Sequence, residues 1–196
     1  MVSASSILRA PSTVWILHGL GSSPKLKKQP DQDTILVGES MGAWLSLKAA
    51  LIVPEKIAGI FGLSLGINIK FKFIETMFPG VGHSEIRTRM EAGEVFTSPF
   101  PTGGATVRLD LKSTENYFEN CPALFPAVDC PVHLVSSEKD PVCPSANVAS
   151  FVEQMRAAGK TPQFTLVPGG AHQLNMEIPV VLSAFCKFMG ERGVEV

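Results

Sequence analysis

No stretch of this chain is apolar for long enough to cross a bilayer. The longest uncharged apolar stretch, Ile57 to Ile69, is interrupted by Gly59, Gly62 and Gly66 and falls short of the roughly 20 residues a spanning helix needs. Charge of one dominant sign is also missing: 17 basic and 18 acidic side chains leave a formal charge of -1. No global field therefore favours nucleic acid or an anionic membrane, and the expected partner is small and weakly charged. Cysteine is sparse, since Cys121, Cys130, Cys143 and Cys186 form no CxxC pair. That excludes a disulfide-stapled secreted domain and points to a reducing, intracellular compartment. No acid precedes Asp31, whereas Arg9, Lys25, Lys27 and Lys28 do, a composition with some transit-peptide character. A core strand beginning near Val14 leaves almost no room for a removable leader. Internal repeats and low-complexity tracts are absent as well.

What is present is enough for one compact domain of 196 residues and too little for two independent cores. Short apolar runs alternate with helix-period segments, which predicts an α/β fold: a mostly parallel sheet of about five strands with helices on both faces. The strands are read at Thr13 to Leu17, Thr34 to Val37, Ile57 to Leu65, Val132 to Val135 and Gln163 to Val167. Met41 to Leu51 is apolar on nearly every face, predicting a central helix that Pro54 ends. Val148, Phe151, Val152 and Met155 fall at helical spacing, with Ser145 as start cap and Gly159 as stop. A last helix has Pro179 in its first turn and buries Val181, Phe185 and Phe188. Between about residues 67 and 130 the chain turns rich in Phe, Gly and Pro, with a hairpin expected around Pro101 to Gly104 and a short helix near Ser113 to Asn120. This segment is read as a small lid inserted into a single domain.

G-x-S-x-G occurs twice, at Gly38 to Gly42 and at Gly62 to Gly66, so the pattern alone does not choose a nucleophile. A nucleophile elbow needs a strand before the serine, a helix after it and small residues two positions away on either side. Ser40 has all three. Ser64 follows a strand, but Ile67 to Phe73 alternates after it, and its glycines are read as permitting close packing or a strand exit. A serine hydroxyl needs a base. His172, in the glycine-rich loop after the last strand, can reach over the carboxyl edge of a sheet. His133 lies inside an apolar strand and reads as a core histidine, and His83 lies in the lid. The carboxylate that orients the base is sought in Ser137 to Pro144, which offers Asp140 and, as the alternative, Glu138. His18-Gly19 closes the first strand in a tight turn that suits an oxyanion hole, with the backbone N–H groups of Leu20 and Met41 facing the developing charge.

The order Ser40, Asp140, His172 is that of the α/β-hydrolases, and the chain resembles that superfamily. More narrowly, it is similar to the mitochondrial branch described as palmitoyl-protein thioesterase and mycophenolic acid acyl-glucuronide esterase. Ile35 to Leu45, Ala50 to Lys56, Cys130 to Asp140 and the His172 loop carry the likeness. The resemblance implies hydrolysis of acyl esters or of acyl thioesters on protein cysteines, by a monomer without cofactor or metal, at a mitochondrial address. It places Ser40, Asp140 and His172 on the catalytic positions and Leu20 and Met41 on the oxyanion donors. Phe71, Phe73 and Phe78 of the lid, with Met77, Phe96 and Phe100, either line an acyl-chain groove or form the lid's own core. Only Ser22 to Asp33 joins the oxyanion turn to the elbow strand, where relatives place a helix, a strand and another helix. The expectation is a chain shortened on its N-terminal side, with Val14 to Leu17 at an unprotected sheet edge. The rival readings are a catalytically impaired hydrolase that binds acyl ligands or a protein partner, and a different chemistry on the same fold, such as peptide cleavage.

Overall fold

The computed structural model describes residues 13–17, 34–67, 82–99, 106–110, 123, 125–175 and 178–194, the side chains of 13–17, 83, 98–99 and 106–109 excepted. Along the chain run β1 (Thr13–Leu17), β2 (Thr34–Glu39), α1 (Met41–Ile52), β3 (Ile57–Leu63), α2 (His83–Glu91), β4 (Phe96–Pro99), β5 (Thr106–Leu109), β6 (Val132–Ser137), α3 (Ser145–Ala157), β7 (Gln163–Val167) and α4 (Pro179–Gly190). Five strands form one sheet in the order β1-β2-β3-β6-β7, and every pairing in it is parallel. β1 lies at one end of that order, beside β2, as the resemblance implies. β4 and β5 pair antiparallel as a separate ribbon, the expected hairpin. The expected helix at Ser113 to Asn120 lies outside the described residues.

Strand periodicity explains the layers. Successive side chains point to opposite faces, so Leu36, Ile60 and Leu134 join Trp44 and Leu47 of α1 and Phe151 and Val152 of α3 in one core. Ile35, Val37, Phe61 and Val135 join Val181, Ala184 and Phe188 of α4 in the other. Strands buried on both faces read as continuous apolar runs, and the helices do cover both. Gly62 lets α1 approach: a Cβ there would meet the Leu134 side chain at 2.8 Å and Ala43 Cβ at 3.3 Å.

Local chemistry departs from expectation in two places. Ser145 is the first residue of α3 rather than its cap, since Pro144 precedes the helix and no side chain caps it. α2 was not anticipated, although Ile86 and Met90 are its buried positions and its exposed face carries the Arg87–Glu91 and Arg89–Glu85 pairs. Such i,i+4 pairs stabilise a short helix by only a few tenths of a kcal/mol each, about 0.2–0.5.

His133 is a core histidine, as read from the sequence. Its ring packs on Phe61 at 5.2 Å and Phe188 at 6.0 Å, and Nε2 bonds Thr165 Oγ1 at 2.9 Å. Burial pushes its pKa down from 6.5 to about 4. The unfolded chain therefore takes up a proton at this position before the folded one does. The contribution of this residue is present above about pH 6.5 and is lost as the pH drops through that value toward 4. Urea unfolding at pH 7 and pH 4.5 is expected to show that loss in the parent chain and a smaller one in His133→Gln; equal losses would assign the effect elsewhere.

Candidate active site

The turn between β2 and α1 is built around close backbone approach. A Cβ on Gly38 would lie 2.4 Å from both the carbonyl carbon and the carbonyl oxygen of Gly42, so the chain doubles back only because glycine stands there. Ser40 sits at the apex with φ 53 and ψ -112, a conformation that costs a non-glycine residue of order 1–3 kcal/mol. Its neighbours hold it there. The Ser40 N–H donates to the Leu63 carbonyl at 2.8 Å, and the Ser40 carbonyl accepts from Trp44 at 3.3 Å and from Gly66 at 3.5 Å. Met41 opens α1, so its N–H belongs to the first turn, where helix donors lack an intrahelical acceptor and form the positive end of the dipole.

Parallel pairing puts the carboxyl ends of β2, β6 and β7 on one edge of the sheet. Ser40 follows the first, Asp140 the second and His172 the third. His172 Nδ1 and Asp140 Oδ2 are 2.8 Å apart. The Asp140 side chain is fully buried, whereas the His172 side chain keeps 25% of its exposure. Asp140 Oδ1 accepts the N–H groups of Val142 and Cys143, both at 2.8 Å. Three donors thus converge on one carboxylate, which fixes its orientation. A carboxylate on Nδ1 makes that nitrogen the N–H donor and leaves Nε2 as the acceptor.

Glu138 is occupied otherwise. Its exposed carboxylate accepts the Gly169 N–H at 2.9 Å, bracing the turn that leaves β7. Of the two acids in this loop, the structure brings Asp140 to the imidazole.

Three residues with no assigned part in the sequence reading complete the surroundings. Ser64, the serine of the second G-x-S-x-G, is fully buried and donates to the His172 carbonyl at 2.6 Å. Glu39, next to the elbow serine, accepts the Leu174 N–H at 3.0 Å. The two bonds tie the His172 loop to the ends of β3 and β2. The repeated motif was a usable signal for Ser64, because a small polar residue between glycines at a strand end marks a close approach of another segment. Cys143 is the third. Its buried thiol faces the Ser40 hydroxyl; burial raises its pKa strongly, the Asp140 carboxylate adds to the rise, and the hydroxyl opposes it. Ser40 and His172 are not bonded directly. Such contacts are commonly long before substrate binds.

Leu20 and Phe71, Phe73 and Phe78 of the expected lid lie outside the described residues. Phe96 is buried and stacks against Arg89 at 4.8 Å, so it packs against α2. A cleft of about 700 Å³ runs along β7 and α4, lined by His133, Phe164, Thr165 and Val180 among others. It touches none of Ser40, Asp140 and His172.

An all-parallel sheet that delivers its reactive side chains to one edge is the architecture of an α/β hydrolase. The chain belongs to the alpha/beta hydrolase family, whose model matches residues 8–184. No curated protein sequence matches it. Among solved structures it is similar to alpha/beta hydrolase domain-containing protein 10 from mouse, with TM-score 0.59 and 22% identity over 85% of this chain and 64% of that one. Est1E from Butyrivibrio proteoclasticus gives TM-score 0.61 and 16% identity over 86% of this chain and 65% of that one. The monoacylglycerol lipase of Paleococcus ferrophilus gives 0.55 and 14% over 82% and 69%. Identities at this level establish a shared fold, and the chain spans less than two thirds of the length of the mouse protein and of Est1E. No helix among the described residues is long and apolar enough to cross a membrane.

Proposed function

We propose that this hydrolase acts through Ser40, cleaving acyl esters or thioesters by way of an acyl-enzyme. His172 Nε2 takes the Ser40 proton as the hydroxyl attacks the carbonyl, Asp140 holds the imidazole in the required tautomer, and the N–H groups of Met41 and Leu20 receive the oxyanion. Water, activated by the same imidazole, then releases the acid. The observation that carries this reading is the 2.8 Å bond between His172 and buried Asp140 on the sheet edge where Ser40 occupies its strained turn.

For substrate, we favour long acyl chains, on a protein cysteine or in a glucuronide-type ester, taken by a monomer at a mitochondrial address. The sequence likeness to the thioesterase and acyl-glucuronide esterase branch supports this, as does the apolar lid with Phe71, Phe73 and Phe78, which we assign to the acyl groove. kcat/KM measured on p-nitrophenyl esters of increasing chain length is expected to rise from acetate toward palmitate. A preference for acetate would remove the long-chain assignment, and a folded chain with no hydrolysis of any ester would favour a binding module.

A further inference from the structure

We propose that Asp140, Cys143 and His172 form a binding site for a thiophilic divalent cation of the zinc type, and that its occupancy shuts down the hydrolysis assigned to Ser40. One ligand atom from each of the three residues lies within 4.8 Å of the other two. Zinc bonds of about 2.0–2.3 Å in a tetrahedron hold neighbouring donors roughly 3.3–3.7 Å apart. Side-chain rotations of about an ångström therefore close the site.

The donor set selects the ion. Sulfur, nitrogen and a single carboxylate suit zinc, whereas calcium and magnesium demand shells made almost wholly of oxygen. The surroundings are also those of a metal ligand set, in which outer partners orient the inner ones. Asp140 Oδ1 is held by the Val142 and Cys143 N–H groups, and the His172 backbone is held by Ser64. The part-exposed imidazole provides the way in, and a water entering there supplies the fourth ligand. Cys130 and Cys186 belong to no such cluster among the described residues.

Binding is an acid–base event without redox change. The Cys143 S–H bond breaks as the S–Zn bond forms, and its proton leaves to solvent; the imidazole coordinates as the neutral ring, and where Nδ1 is the ligand its proton passes to Nε2. The metal takes ligand electron pairs from the residues that hold and supply the base, so His172 can no longer accept the Ser40 proton.

The effect on activity rests on the function proposed above, whereas the binding itself does not. The full chain, freed of metal, is titrated with Zn²⁺ against a chromophoric chelator and separately with Co²⁺. One equivalent is expected to bind equally to the parent chain and to Ser40→Ala, and Co²⁺ is expected to give the near-ultraviolet thiolate charge-transfer band. In Cys143→Ala that band disappears and Zn²⁺ affinity drops by more than about 100-fold, beyond the usual effect of losing an outer partner. Cys130→Ala and Cys186→Ala keep both. Should Cys143→Ala not fold by circular dichroism, Cys143→Ser carries the comparison, with the thiolate band again lost. Ester hydrolysis by the parent chain stops at saturating Zn²⁺ and returns with EDTA. Absence of the band in the folded parent, or its survival without Cys143, overturns the site. Metal binding by a chain that hydrolyses no ester would leave the site standing and remove the proposed function, and full activity with the site saturated would remove the inhibition.

Discussion

Ser40→Ala is expected to lower kcat by about 10⁶-fold, the scale seen when a serine nucleophile is deleted, and to abolish covalent labelling by a fluorophosphonate probe. The reason is local. Among the described residues, Ser40 is the serine seen in a strand-to-helix turn, at φ 53, with the first N–H groups of α1 behind it, so an acyl carbonyl placed there meets a hydroxyl and an oxyanion donor together. Removing the hydroxyl removes the covalent path and leaves only what binding and the oxyanion site contribute. Ser64→Ala is the control. Ser64 shares the motif and a positive φ of 46, but its hydroxyl is spent on the His172 carbonyl. That variant is expected to label normally and to lose about 10-fold in kcat, the effect of losing an orienting partner. Labelling that survives in Ser40→Ala and vanishes in Ser64→Ala would reverse the assignment.

Asp140→Asn is expected to cost about 10⁴-fold in kcat, with little change in KM. Oδ1 of Asp140 accepts two backbone N–H groups, so the amide oxygen of the variant stays on that side and its NH₂ turns toward His172 Nδ1. The imidazole must then accept at Nδ1 and carry its proton on Nε2, where it cannot take one from Ser40. Glu138→Gln, in contrast, leaves an oxygen able to receive the Gly169 N–H, and its kcat is expected to stay within about threefold of the parent, the usual scale for an exposed, hydrogen-bond-preserving change. A large effect in Glu138→Gln with none in Asp140→Asn would exchange the two roles.

Much of this site was legible from residues alone. A strand, a glycine-spaced serine and an apolar helix in immediate succession constrain the backbone so tightly that Gly38 to Gly42 could be read as an elbow, and the structure shows the steric demand on Gly38. His133 was readable as a core residue because an apolar strand surrounds it. The start of α3 was misread, because Ser145 and Pro144 both suit a helix beginning and only the backbone chooses between them. α2 was passed over because charge dominates its nine residues and hides a two-residue apolar stripe.

The sequence by itself determined the strand and helix periods, the elbow and the set of candidate side chains, since these depend on steric and hydrophobic patterns a few residues long. The sequence favoured Asp140 over Glu138 as the acid, but the contact with the imidazole, what Ser64 and Glu39 hold, and the presence of Cys143 beside Ser40 were decided only in three dimensions. Those contacts join residues 32 to 135 positions apart in the chain. They exist because parallel pairing sends the ends of β2, β3, β6 and β7 to the same edge, and no local pattern encodes which loops that edge will bring into contact.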